Sequence, residues 1–164
     1  MPGTFPSAIP ALADDTDLRR RNRETVKAYM KAQGHDQLRR PALFTEDGSE
    51  GLWTTDTGEP LIAHGRQRLA RQAAWIVSRF PDWHWDNVRI FETQDPDHFW
   101  VECDGRGTIL YPGYPDGYYE DHFIFSFLLD HGKIRQGRAF TNPYRQLRAL
   151  GVAVPLIRRT GVPR

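Results

Sequence analysis

The chain has 164 residues, room for one domain with a buried core that needs no disulfide or structural metal. Twenty-two Lys+Arg against 21 Asp+Glu leave a net charge of +1, which removes the electrostatic basis for nucleic-acid binding. A single cysteine, Cys103, excludes an internal disulfide framework and a zinc site built on paired thiolates. The first fifteen residues carry three prolines, no basic run and no long apolar stretch, so they do not read as a signal peptide. Nowhere does the chain approach the ~18 consecutive apolar residues of a membrane span. The expected compartment is the cytoplasm. Five Trp, six Tyr and nine Phe form a heavy aromatic load, suited to a tight core or to a pocket for a flat ligand.

Residues 1–13 read as a flexible, proline-containing arm, and 14–164 as a single domain. From Asp14 the pattern turns helical, with Leu18, Val26, Tyr29 and Met30 on one side, acidic residues in the first turn and Gly34 at the end. A short second helix is expected over Asp36–Phe44, closing at Glu46-Asp47-Gly48. A hairpin follows, Leu52–Thr55 with Leu61–Ala63 around Asp56-Thr57-Gly58. The clearest helix runs from Gly65 to Phe80, with Leu69, Gln72, Ala73, Ile76, Val77 and Phe80 on one stripe, and Pro81 stops it. Four strands are then predicted: Trp83–Glu92, Phe99–Leu110, Tyr118–Asp130 and Lys133–Thr141. His131-Gly132 forms a two-residue hairpin turn, and Gly105-Arg106-Gly107 reads as a turn in a strand connection. A last helix starts at Asn142-Pro143, with Asn as cap and Pro in its first turn. Helices, then an antiparallel meander, then a short helix make an α+β layout. In the longest strand Phe123, Phe125, Phe127 and Leu129 share one face, and His122, Ile124, Ser126 and Leu128 the other. Both faces are largely apolar, so the sheet is expected to be covered on both sides, helices on one and a second copy of the chain on the other.

No histidine pair shows metal-ligand spacing, and no phosphate-binding glycine loop or nucleophile elbow is present; neither a metal nor a cofactor is expected. Cys103 sits in an alternating strand, where packing explains it. Three features remain. Glu120 and His122 point to one face of a strand and Asp121 to the other; the first two either share a cavity and perform acid–base chemistry or form a solvated strand end. Gln72 is a polar residue on an apolar stripe, either a hydrogen-bonded core glutamine or a pocket-lining group. Arg138 beside Phe140 either binds a carboxylate or covers apolar neighbours with its stem.

The stretches Leu52–Gly58, Phe80–Trp83, Asp95–Gly105 and Tyr111–Pro115 resemble the phenazine biosynthesis protein A/B family, as do Gln146–Gly151 and the ending from Val154 to Pro163. The resemblance runs from about Arg19 to the C-terminus. It implies a cone-shaped α+β barrel of the nuclear-transport-factor-2-like (ketosteroid-isomerase-like, SnoaL-like) class, with helices packed on a curved mixed, mostly antiparallel sheet. It implies a homodimer through that sheet, or a heterodimer with a paralogue. The activity it implies is condensation of two molecules of an amino-oxo-cyclohexene carboxylic acid, each amine attacking the other's ketone, into the phenazine tricycle.

The family pattern, as the resemblance implies it, has Glu where this chain has Ala139, His where it has Gln72, and Ser where it has Ile76. A further family histidine corresponds to Phe125. These departures imply an A-type copy whose condensing activity is weakened or lost. The implied pocket is lined by Arg40, Gln72, Trp75, Ile76, Trp83, Tyr119, His122 and Ala139, with Glu120 and His122 as the candidate catalytic groups. Arg40 either meets the ligand carboxylate or is an exposed helix charge. Three functions follow: a residual condensing enzyme, a non-catalytic binding or heterodimer subunit in the same pathway, or an isomerase or cyclase of the wider fold. Alanine at 139 favours the second over the first, and the length of the family motifs stands against the third.

Overall fold

The long alternating strand Gly117–Asp130, with Tyr119, Phe123, Phe125, Phe127 and Leu129 on one face, runs inside the central element, a curved six-stranded sheet. The structure, a computed structural model, describes residues 14–164; the arm expected over 1–13 lies outside the described residues. Helix α1 (Thr16–Lys31) and a 3-10 helix (Gly34–Leu43) lead into strands β1 (Phe44–Leu52) and β2 (Leu61–His64). Helix α2 (Arg66–Arg79) precedes β3 (His84–Glu92), β4 (His98–Ile109), β5 (Gly117–Asp130) and β6 (Lys133–Phe140), and α3 (Pro143–Ala149) follows. The strand order is β2-β1-β6-β5-β4-β3, with β1 and β6 parallel and every other pair antiparallel. This is the α+β architecture, with a mixed and mostly antiparallel sheet, that the sequence predicts.

Local chemistry sets the element ends. His131 and Gly132 both adopt positive φ, 48° and 79°, as a two-residue turn matched to strand twist requires. Asn142 accepts a hydrogen bond from the Tyr144 backbone N–H at 3.1 Å and caps α3, with Pro143 in the first turn. Asn22 of α1 is fully buried and donates to the Pro96 carbonyl and to Asp97, which fixes that helix against the β3–β4 turn.

Two sequence expectations are corrected. The residues Glu46-Asp47-Gly48 do not close a helix; they lie inside β1, and the preceding helix is of the 3-10 type. Strand β1 is polar and carries one β-branched residue, so its conformation comes from pairing with β2 on one side and β6 on the other, a tertiary effect with no local signature. The hairpin is therefore formed by β1 and β2, with residues 53–60 as its connection. Likewise, Gly105-Arg106-Gly107 is no turn but the middle of β4. A Cβ on Gly105 would stand 2.3 Å from the Trp83 ring and 2.6 Å from that of Trp85, so the missing side chain is what seats both indoles.

The odd-numbered face of β5 holds Tyr119, Phe123, Phe125, Phe127 and Leu129, all buried against Val26, Tyr29 and Met30 of α1 and Leu69 of α2. The even-numbered face carries His122, Ile124 and Ser126 on the outside of the sheet, beside Trp100 and Phe140 of the neighbouring strands. Among the described residues no helix is long and apolar enough to cross a membrane.

Two measurements check this packing. Gly105→Ala forces a methyl into the indole seat and should destabilise the fold by about 1–3 kcal/mol, read as a lower midpoint in urea. Cys103 is 1 % exposed and burial pushes its thiol up to about 12. A maleimide at pH 8 should therefore leave the native protein unlabelled and label it on unfolding; rapid native labelling would place Cys103 outside the core.

Candidate functional site

Between α2, the 3-10 helix and the concave face of the sheet lies a cavity of about 360 Å³, the size of a small-molecule site. Its walls are aromatic. Trp83 stacks on Tyr119 with ring centres 5.4 Å apart, Trp85 meets Phe123 edge-on at 4.8 Å, and Phe80 and Tyr111 close the side next to Trp75. Leu61 and Trp75, 63 % and 47 % exposed, line it from the solvent side and mark its mouth.

Of the residues singled out from sequence, Arg40, Gln72, Trp75, Ile76, Trp83, Tyr119 and Ala139 all line this one cavity. Gln72 and Ile76 reach it from α2, one helical turn apart, and Ala139 from β6, opposite Leu52 of β1 and Phe125 of β5. Arg40 is not an exposed helix charge: it is 5 % exposed. Its guanidinium donates to the Gln37 side chain at 2.9 Å and the Ala32 carbonyl at 2.8 Å, and sits 4.3 Å above the Tyr29 ring.

Glu120 and His122 do not share the cavity. Their even register puts them on the outer face, where His122 pairs with Asp104 at 2.9 Å and both border an open groove with Asn87, Arg106 and Arg145. The expectation that these two groups act in the pocket is corrected by strand parity: the aromatic residues that face inward are odd-numbered, so an even residue faces out. Arg138 also lies on the outer face, donating to the Ser126 hydroxyl at 3.0 Å, its guanidinium 5.6 Å from the Trp53 and Phe140 rings.

Sequence reading missed two polar groups. Glu50 reaches the cavity from β1 and accepts a hydrogen bond from the Tyr29 phenol of α1. Burial raises the Glu50 carboxyl above its ordinary range, with the Arg40 charge and the Tyr29 hydrogen bond opposing. Asp121 is buried behind Tyr119, accepting from its phenol at 2.7 Å and from the backbone N–H groups of His122 at 2.8 Å and Asn142 at 3.1 Å. Burial raises its carboxyl too, against those three hydrogen bonds. Glu50 escaped notice because β1 shows no strand alternation; the signal for Asp121 was its odd register beside Tyr119.

Chemically, the cavity has one polar end, where a buried cation, an amide and a carboxyl converge, and a long aromatic body. Two buried N–H groups of its lining residues, Arg40 Nε and Trp85 Nε1, have no hydrogen-bond partner among the described residues. A buried positive charge beside the cavity favours an anionic ligand, and the aromatic walls a flat ring. Among the described residues, no cluster of three or more His, Cys, Asp or Glu is placed to hold a metal ion.

Asp121→Ala should strand the Tyr119 phenol and the Asn142 N–H without an acceptor. Unfolding free energy should then fall by at least about 1–3 kcal/mol, measured by urea titration. An unchanged midpoint would mean that water replaces the carboxylate.

Comparison with known proteins bears on all of this. The family model for phenazine biosynthesis protein A/B matches residues 7–164. Phenazine biosynthesis protein PhzB of Pseudomonas fluorescens is 59% identical over 152 residues, which is 93% of this chain and 94% of that one. The crystal structure of a phenazine biosynthesis-related protein (phzb2) from Pseudomonas aeruginosa superposes with a TM-score of 0.90 at 58% identity, covering 95% of this chain and 97% of that one. At 19% identity, a structure described as a SnoaL-like polyketide cyclase from Jannaschia Sp. CCS1 shares the fold, with a TM-score of 0.65 over 87% of this chain and 100% of its own. With its cavity set in a SnoaL-like cone and its sequence matched almost end to end, the chain belongs to the phenazine biosynthesis protein A/B family.

Proposed function

We propose that the protein works in phenazine biosynthesis by holding the amino-oxo-cyclohexene carboxylic acid in this cavity. Condensation there is weak, and the chain serves chiefly beside a competent paralogue. The observation that carries the reading is the convergence of Gln72, Ile76 and Ala139 on one cavity. These are the positions at which the family pattern implies His, Ser and Glu. An amide, an alkyl group and a methyl stand where a proton-transferring set is needed, and none of them can act as a general acid. The shell supports binding all the same. Arg40 offers a cation to a ring carboxylate, and Trp83, Tyr119 and Phe123 flat faces for the ring. The cytoplasm is the compartment that fits this role.

The mechanism derived from these residues is one of confinement. Two ring acids held face to face, amine against ketone, meet at an effective concentration far above that in solution. The aromatic wall excludes water from the imine that forms, and Tyr119, held by Asp121, keeps its phenol fixed rather than free to reorient.

Assembly belongs to the same reading. On the outer face Ile124 is exposed, with Trp100 and Phe140 half-buried beside it, and a second copy of the chain covering these groups would complete a two-sided sheet. Light scattering behind a sizing column should give the mass of a dimer, and Ile124→Glu should give a monomer.

The decisive test follows tricycle formation from the freshly generated amino-ketone with wild type, buffer alone and the triple variant Gln72→His, Ile76→Ser, Ala139→Glu. Restoring a positioned acid and base should raise the rate over wild type by ~10²–10⁴-fold. A triple variant no faster than wild type would overturn the reading that these three positions disarm the site.

A further inference from the structure

With His, Ser and Glu replaced, the cavity still holds one carboxyl group, and it stands in the right place. The geometry points to Glu50, held by the Tyr29 phenol, as the proton donor of this cavity, a substitute for the acid missing at position 139. This inference rests on the ring-acid reading above and adds a further residue to it.

Glu50 is the only carboxyl group among the residues lining the cavity. It sits on β1 opposite Gly137 of β6, while Leu52, two residues on, sits opposite Ala139. Because side chains two apart share a sheet face, Glu50 and Ala139 face the same cavity from adjacent strands, diagonal to one another. The two side chains enter the cavity from neighbouring strands, and a glutamate reaches one methylene further into it than an aspartate would. Gly137 leaves the space over β6 open: a Cβ there would already touch Glu50 Cγ at 3.6 Å. The acid thus reaches toward the missing one from the neighbouring strand.

Its surroundings suit the role. The Tyr29 phenol donates to one carboxylate oxygen, leaving the other for substrate. Arg40, over the Tyr29 ring, places a positive charge near the carboxylate left after proton transfer. The Tyr29 hydroxyl stays protonated throughout, since burial and the Glu50 charge raise it well above its ordinary range; it holds and stabilises, and does not exchange. In each condensation the amine nitrogen attacks the ketone carbon, forming a C–N bond as the carbonyl π pair moves to oxygen. That oxygen gains a proton from the nitrogen and becomes the carbinolamine hydroxyl. Glu50 protonates the hydroxyl, the C–O bond breaks, water leaves, and the nitrogen lone pair forms C=N. The remaining N–H proton returns to Glu50. One ketone and one primary amine become one imine and one water, with no oxidant or reductant.

The test measures two quantities on the purified full chain, wild type and Glu50→Gln. The first is the rate of tricycle formation over buffer from the fresh amino-ketone. The second is the binding of anthranilic acid, a stable flat amino-carboxylic acid, read by tryptophan fluorescence from Trp83 and Trp85. Glu50→Gln should bind anthranilate within about threefold of wild type yet lose the acceleration over buffer. Glu50→Asp, one methylene short, should not restore it. The wild-type acceleration should fall as pH rises through the raised Glu50 range, because the working form is protonated, and the Gln variant should show no such limb. A Gln variant as fast as wild type, or a wild type that binds anthranilate but does not exceed buffer, overturns Glu50 as donor while the binding reading stands. A folded wild type that does not bind anthranilate removes the ring-acid reading and this inference with it.

Discussion

A guanidinium shut inside an aromatic cavity imposes a constraint on everything around it. Arg40 carries a full charge at any accessible pH, and taking it out of water costs several kcal/mol unless the protein returns equivalent interactions. What it receives is an amide oxygen from Gln37, a backbone oxygen from Ala32 and the face of Tyr29. None of these is a negative charge, and Glu50, the one carboxyl in the cavity wall, is itself driven toward its neutral form by burial. The cavity is therefore net positive at its polar end when the carboxyl is protonated. A carboxylate at this end would supply the negative partner that the fold leaves out.

The fold that surrounds this cation was legible in part. The Gly65–Phe80 stripe, the His131-Gly132 turn and the Asn142-Pro143 cap are local signals, and each corresponds to an element of the structure because helix periodicity, positive φ and cap chemistry are decided within a few residues. The convergence of Gln72 and Ile76 on one cavity followed from helical spacing alone. β1 was hidden because a polar strand between two neighbours owes its shape to partners distant in sequence. Gly105 misled for a related reason: glycine in a strand mimics a turn unless the bulk that fills its place is known, and here that bulk is two indoles. For Glu120 and His122 the alternative of a solvated strand end is the one that holds: their shared even register sets them opposite the phenylalanines, and strand parity outranks chemical suitability.

Stability and chemistry are carried by different residues in this cone. The buried framework is made of Phe99, Val101, Phe127 and Ile134, each fully buried and none of them lining the cavity. Gln72, Ile76 and Ala139 are only half-buried, and their free sides face the cavity rather than packed neighbours. Replacing an acid by alanine at such a place leaves little unpacked space, because the volume opens into a cavity that already exists. A substitution at such a place needs no compensating change in the core.

The same separation sets limits on where a carboxyl can serve the cavity. A carboxyl on the outer face, such as Glu120, could be introduced or removed at little cost but never reaches the ring. A carboxyl on the inner face is constrained from the other direction: its desolvation must be offset, and only positions near a hydrogen-bond donor and a cation can bear it. On β1 those conditions meet at Glu50, where α1 brings Tyr29 and the 3-10 helix brings Arg40. Asp121 meets the first condition, but both its oxygens are taken up accepting from the Tyr119 phenol and from the backbone N–H groups of His122 and Asn142. Two carboxyls thus divide the work: buried Asp121 fixes the wall, and half-buried Glu50, with an oxygen to spare, is the one left to move a proton.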